Sequence, residues 1–116
     1  EVEFVDVSYN LGTKAILLKT YFELLEIESF PYMVKSFKTY VNKNKLMSEN
    51  QKVIYLNMIK FTNKLFQLKT KINAYKGSVT KNEIVELKKT LLEQKNVANI
   101  NWLTEKIKEI DFDIRF

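Results

Sequence analysis

The chain has 116 residues, 46% apolar and 28% charged, with a net charge of +5, which is enough for one domain with a real core and too apolar for a disordered segment. Two Gly and one Pro supply too few turns for a β-sandwich or barrel and point to helices with few connections. With neither Cys nor His, the sequence has no disulfide, no thiolate or imidazole metal ligand and no histidine general base.

The fold class expected is all-α: about five helices in antiparallel pairs around a long central one, within a single domain spanning 1–116. No apolar run reaches the roughly 18–20 residues of a membrane span. Without Cys the compartment is not readable, and the cytoplasm is the default expectation. The chain opens Glu-Val-Glu-Phe without a Met, so we expect the C-terminal piece of a longer helical protein.

Residues 1–7 have no clean period and suit either a short extended segment or a ragged helix start. From Asp6 or Ser8 to Glu26 the pattern is helical, with Leu11, Ala15, Leu18, Phe22 and Leu25 on one stripe at steps of three and four. Leu17, Tyr21 and Leu24 flank it, and Ile16 adds apolar surface elsewhere. Gly12 costs about 1 kcal/mol inside a helix relative to Ala, which suggests a close helix contact or a late start. A helix this apolar is not easily covered by a single partner helix, so something upstream of it is expected to pack on it.

Ser29 is placed to cap a second helix and Pro31 to occupy its first turn. Phe30, Val34, Phe37 and Val41 form the inner stripe, with Met33 and Tyr40 beside it. Ser48-Glu49-Asn50-Gln51 has the pattern of a capping box. The helix it opens is the central beam: Ile54, Met58, Phe61, Leu65, Leu68, Ile72 and Tyr75 share one side, and Tyr55, Ile59 and Phe66 make a second stripe. Gly77 is expected as its left-handed stop.

Thr80 to Glu83 repeats the capping signature and opens a fourth helix to about Gln94, with Ile84, Leu87 and Leu91 inward. Asn99 is expected to cap a short last helix burying Ile100, Leu103, Ile107 and Ile110. The tail Asp-Phe-Asp-Ile-Arg-Phe alternates polar and apolar, which suits a short strand or an extended arm.

Over residues 8–45, Tyr21, Leu25, Ile27, Phe30, Val34 and Phe37 keep the offsets of a two-helix repeat. On that spacing the segment resembles a divergent tetratricopeptide (TPR) unit, although Leu18, Leu25 and Phe30 stand where that family has small residues. Leu-Leu-Lys-Thr-Tyr-Phe-Glu-Leu (17–24), Tyr55-Leu56-Asn57, Ile59-Lys60-Phe61 and Val97-Ala98-Asn99 before Trp102-Leu103 also look like the C-terminal region of large, uncharacterised, TPR-like proteins of Bacteroidetes. The resemblance implies stacked helix pairs and a role in protein contacts, and it brings no catalytic residue.

The residues themselves offer no catalytic pair, no phosphate loop and no cofactor motif. Glu109, Asp111 and Asp113 are close in sequence but lack the spacing of a calcium loop, so no metal is expected. Glu23, Glu26 and Glu28 are expected to face solvent. Most aromatics lie on apolar stripes and belong to the core; Tyr32, Tyr40 and Trp102 sit at stripe edges or helix starts and are the candidates for partner contacts. Residues 32–82 hold 11 Lys against one acid, Glu49. Lys35, Lys38, Lys60, Lys64 and Lys71 are therefore the candidates for a polyanion.

Two functions from different classes follow. The first is a non-enzymatic helical-repeat module that binds protein, either further repeats of its own chain, an unknown partner or a second copy. The second is nonspecific nucleic-acid or polyanion binding through the lysines. One Arg to 18 Lys weighs against it, because Arg supplies the bidentate forks of specific recognition.

Overall fold

In the computed structural model, five α-helices follow one another without a strand among the described residues: α1 (Val2–Glu23), α2 (Ser29–Lys43), α3 (Glu49–Ala74), α4 (Lys81–Glu93) and α5 (Ile100–Arg115). The backbone of residues 2–115 and the side chains of 6–115 are described. Expectations for Glu1, Phe116 and the side chains of 2–5 lie outside that range.

α1 turns into α2 through a tight left-handed stop. The amide of Glu26 donates to the carbonyl of Tyr21, and that of Leu25 to Phe22; Leu25 stands at φ 53°. This is the paired hydrogen bonding of a Schellman motif with leucine where glycine is usual. The short turn makes α1 and α2 antiparallel, so that Phe22 meets Phe30 and Lys14 lies over the ring of Tyr40.

α2 continues the hairpin onto α3, where Phe37 meets Tyr55 and Phe30 meets Phe66. Between them Asn44 folds the chain by accepting from the amides of Leu46 and Met47, and Met47 is buried. α5 packs on α3 in the same direction: the Ala98 amide donates to Ile54 at one end, and Ile110 lies beside Ile72 at the other. α4 packs antiparallel on α5, with Lys81 reaching Asp111. α1, α3 and α5 therefore run one way and α2 and α4 the other, in a slab of 50 × 30 × 18 Å.

α3 buries Met58, Phe61, Leu65 and Leu68 on its first stripe and Ile59 and Phe66 on the second. The buried hydroxyl of Thr62 is satisfied by donating to the Met58 carbonyl at 2.7 Å. Ser48 and Thr80 both form complete capping boxes, with Gln51 and Glu83 reaching back.

Five local expectations are corrected. Residues 2–7 are helical, which decides the open choice there for a helix start over an extended segment, and α1 begins at Val2 instead of the expected Asp6 or Ser8. Residues 111–115 are also helical: Ile114 packs on the core once per turn rather than alternating, and an Arg115–Asp111 pair four residues apart supports the last turn. Ser29 lies inside α2, and Glu28 takes the cap position without a side-chain bond, because the Schellman turn already brings the Phe30 amide onto the Glu26 carbonyl. Gly77 is not left-handed; α3 stops at an extended Tyr75, and Gly77 sits in a single 3-10 turn, Lys76–Ser78, under the Tyr75 ring. Asn99 is left-handed at φ 59°, and its side chain turns to Lys19 and Met58 instead of capping α5.

Leu25 holds a backbone conformation that costs a non-glycine residue roughly 1–2 kcal/mol, while its half-buried side chain packs on the core. Leu25→Gly removes both the strain and the packing, and Leu25→Ala removes only the packing. Urea unfolding is expected to find the Gly variant more stable than the Ala variant by about 1 kcal/mol, the reverse of their order inside a helix.

Candidate interaction surfaces

α1 has two opposite faces. Val7, Leu11, Ala15, Leu18 and Phe22 point inward and are buried. Directly opposite, Tyr9 is 73% exposed, Ile16 64% and Leu24 64%, with Leu17 also open to solvent. Thr13 and Thr20 lie between them on the same side, since residues three and four apart share a helix face.

The charges of α1 from Lys14 onward are turned away from that side. Lys14 lies over Tyr40 of α2. Lys19 donates to Asn99 at 2.6 Å and sits near the Trp102 ring. Glu23 is ion-paired with Lys106 of α5. The result is an uncharged strip from Tyr9 to Leu24, about 22 Å long at the rise of an α-helix.

Lys106 ties the strip's lower end to α5. Its side chain is 14% exposed and also meets Glu109 at 2.8 Å. Burial alone would lower its pKa, but the hydrogen bonds and charges of Glu109 and Glu23 outweigh burial and leave it above the usual lysine value of 10.5. This link between α1 and α5 was not readable from the sequence, because its members are 83 residues apart and Glu23 has the look of a solvent-facing acid.

The candidate contact aromatics meet different neighbours. Tyr32 is 77% exposed on α2. Tyr40 is half-buried under Lys14. Trp102 is half-buried, edge-on to Phe22 with ring centroids 5.2 Å apart.

Of the candidate lysines, Lys38 and Lys60 both line a groove of about 350 Å³ between α2 and α3, with Asn42, Asn57 and Asn63 at its walls and no carboxylate among its lining residues, while the Lys60 ammonium lies over the Phe61 ring. Lys60 also borders a second groove, between α3 and α4, with Lys64, Glu83 and Glu86 around Phe61 and Leu87. Lys35 is exposed on α2. Lys71 is exposed in the last turn of α3, some 16 Å along the axis from Lys60.

The acidic tail does not converge. Asp111 pairs with Lys81 and Arg115, both at 3.0 Å. The Lys81 hydrogen bond, aided by Arg115, holds its carboxyl below the usual value of 3.8. Glu109 turns to Lys106, and no group of three or more acidic side chains is placed to hold a metal among the described residues. No helix among them is long and apolar enough to cross a membrane. Comparison with family models, with curated proteins and with solved structures finds no match.

The Lys106 cluster gives a pH test. A raised folded-state pKa means that the folded chain holds the proton more tightly than the unfolded chain. The resulting stability is complete below the usual value of 10.5 and is lost as pH rises through the folded value. In urea titrations across the alkaline range, the midpoint of the wild type is expected to fall more steeply than that of Lys106→Met.

Proposed function

We propose that this chain is a non-enzymatic helical-repeat module that binds protein through the outer face of α1. The observation that carries the reading is the uncharged strip of Tyr9, Ile16, Leu17 and Leu24, exposed while Lys14, Lys19 and Glu23 are engaged with α2 and α5. An apolar surface of this extent is a common mark of an interaction site. The helical-repeat part of the proposal is supported by the alternating direction of the five helices and by the TPR-like spacing of residues 8–45.

A dye that brightens on apolar surfaces tests it. In dilute solution the wild type is expected to bind the dye, and Ile16→Glu to lose most of that signal at unchanged helicity. Equal, weak fluorescence from both proteins would count against α1 as a contact surface.

A second reading is favoured by one specific feature, the groove lined by Lys38 and Lys60 with three amide side chains and no acid. It would serve a polyanion through charge alone, so binding should be sequence-independent and collapse with salt. A gel-retardation assay with single- and double-stranded DNA at low salt is expected to show a shift that Lys38→Ala/Lys60→Ala weakens. No shift at low salt would remove this reading and leave the first untouched.

A further inference from the structure

Residues 81–115 hold seven cations and seven acids, yet the fold sorts them unevenly. Lys81 and Lys88 reach the groove between α4 and α5 from one side, and Lys108 and Arg115 from the other. Asp111 is the one acid that lines it with them. The other acids of the two helices are engaged or directed elsewhere. Glu83 closes the Thr80 capping box, Glu86 lines the groove against α3, Glu109 meets Lys106, and Asp113 borders a cavity with Lys69. Glu93 and Glu105 do not line the groove. Its lining therefore carries four positive charges and one negative.

Asp111 shows what the arrangement holds. Its two carboxylate oxygens accept from different cations, Oδ1 from Lys81 and Oδ2 from Arg115, each at 3.0 Å. Arg115 spends one terminal nitrogen, Nη2, on that contact, which leaves further N–H groups of its planar fork. Lys88 and Lys108 are exposed, and among the described residues neither has a carboxylate within ion-pair distance. The fold thus binds one oxyanion of its own and keeps two more ammonium groups beside it.

We propose that the α4–α5 groove binds a phosphate monoester. Lys88 and Lys108 meet its free oxygens, Lys81 and Arg115 are shared between it and Asp111, and its organic part lies on the half-exposed Val85 at the rim. Charge decides the ligand class. With Asp111 counted, the lining is left with three positive charges; a carboxylate matches one of them, whereas a phosphate monoester brings nearly two negative charges and three strong acceptor oxygens. Size agrees, because a cavity of about 170 Å³ admits one phosphate with a small attached group and not a folded partner. The site is separate from the α1 face and from the groove at Lys38 and Lys60, so it stands or falls independently of both readings above.

The test is a titration of the full chain with phenyl phosphate at low salt, followed by the NMR shifts of its backbone amides. Saturable shifts are expected in 81–88 and 108–115 and not around Lys38 and Lys60. Lys88→Gln/Lys108→Gln should weaken binding about tenfold, as loss of charged hydrogen bonds does, while Lys38→Ala/Lys60→Ala leaves it unchanged. Asp111→Asn removes the competing carboxylate and releases Lys81 and Arg115, so it should bind phenyl phosphate more tightly than the wild type. All of these positions are at the surface, and far-ultraviolet circular dichroism checks that each variant is folded.

The same group is carried by soluble esters and by the lipid phosphatidate, and co-sedimentation with phosphatidylcholine vesicles containing phosphatidate separates the two sources. A chain that binds phenyl phosphate and stays in the supernatant takes a soluble ester; one that also pellets takes the headgroup too, and both results support the site. Three results overturn it: shifts that do not saturate or that spread over all the exposed lysines, a Lys88→Gln/Lys108→Gln variant that binds like the wild type, or a folded Asp111→Asn variant that binds more weakly.

Discussion

Four aromatic rings meet where α1, α2, α3 and α5 come together, and the arrangement of the helices follows from them. Phe22 is edge-on to Phe30 at 6.3 Å and to Trp102 at 5.2 Å, and lies 6.1 Å from Phe66. Phe30 and Phe66 stack with centroids 3.9 Å apart. Each ring comes from a different helix, so the cluster fixes how four of the five helices cross. It also accounts for the strained turn. Phe30 lies only eight residues after Phe22, and the chain must reverse tightly to bring the rings together. Leu25 accepts a left-handed backbone there because its side chain is needed in the same core.

The cluster also organises much of the charge. Lys69 lies over Phe22 at 4.8 Å and donates to its carbonyl, so a cation closes the end of α1. Lys19 and Lys106 both lie 5.7 Å from the Trp102 ring. Such contacts are individually modest, about 0.5–1 kcal/mol when exposed. Their larger consequence is directional. By drawing Lys19, and through Lys106 also Glu23, toward the seam with α5, they leave the opposite side of α1 without charge from Tyr9 to Leu24. The outer strip and the inner ring cluster are two results of one side-chain arrangement.

The helices were legible in the sequence wherever local chemistry and the core agree. The stripes of α3 and the boxes at Ser48 and Thr80 are such places, since the same residues satisfy helix period, cap and packing at once. The misreadings fall where a long-range contact overrides a local preference. Ser29 is a good cap in isolation, but the turn at Leu25 supplies the Phe30 amide with the Glu26 carbonyl. Asn99 would cap α5, but Lys19 and Met58, far away in sequence, take its amide. Gly77 suits a left-handed stop, yet the chain turns at Tyr75 instead. Of the surface, the excess apolarity of α1 was visible as a count of residues. The grouping of Lys38 with Lys60 was not, because it depends on how α2 lies against α3.

The two edges of the slab differ in charge. α4 forms one edge, and its outward positions carry Lys81, Asn82, Glu86, Lys88, Lys89 and Glu93 around the exposed Val85 and Leu92. These charged and polar side chains keep most of that edge solvated. α1 exposes Asp6, Asn10, Thr13 and Thr20 among Tyr9, Ile16, Leu17 and Leu24, with fewer charges than α4. The apolar side chains exposed on α1 are thus less surrounded by charge than those exposed on α4.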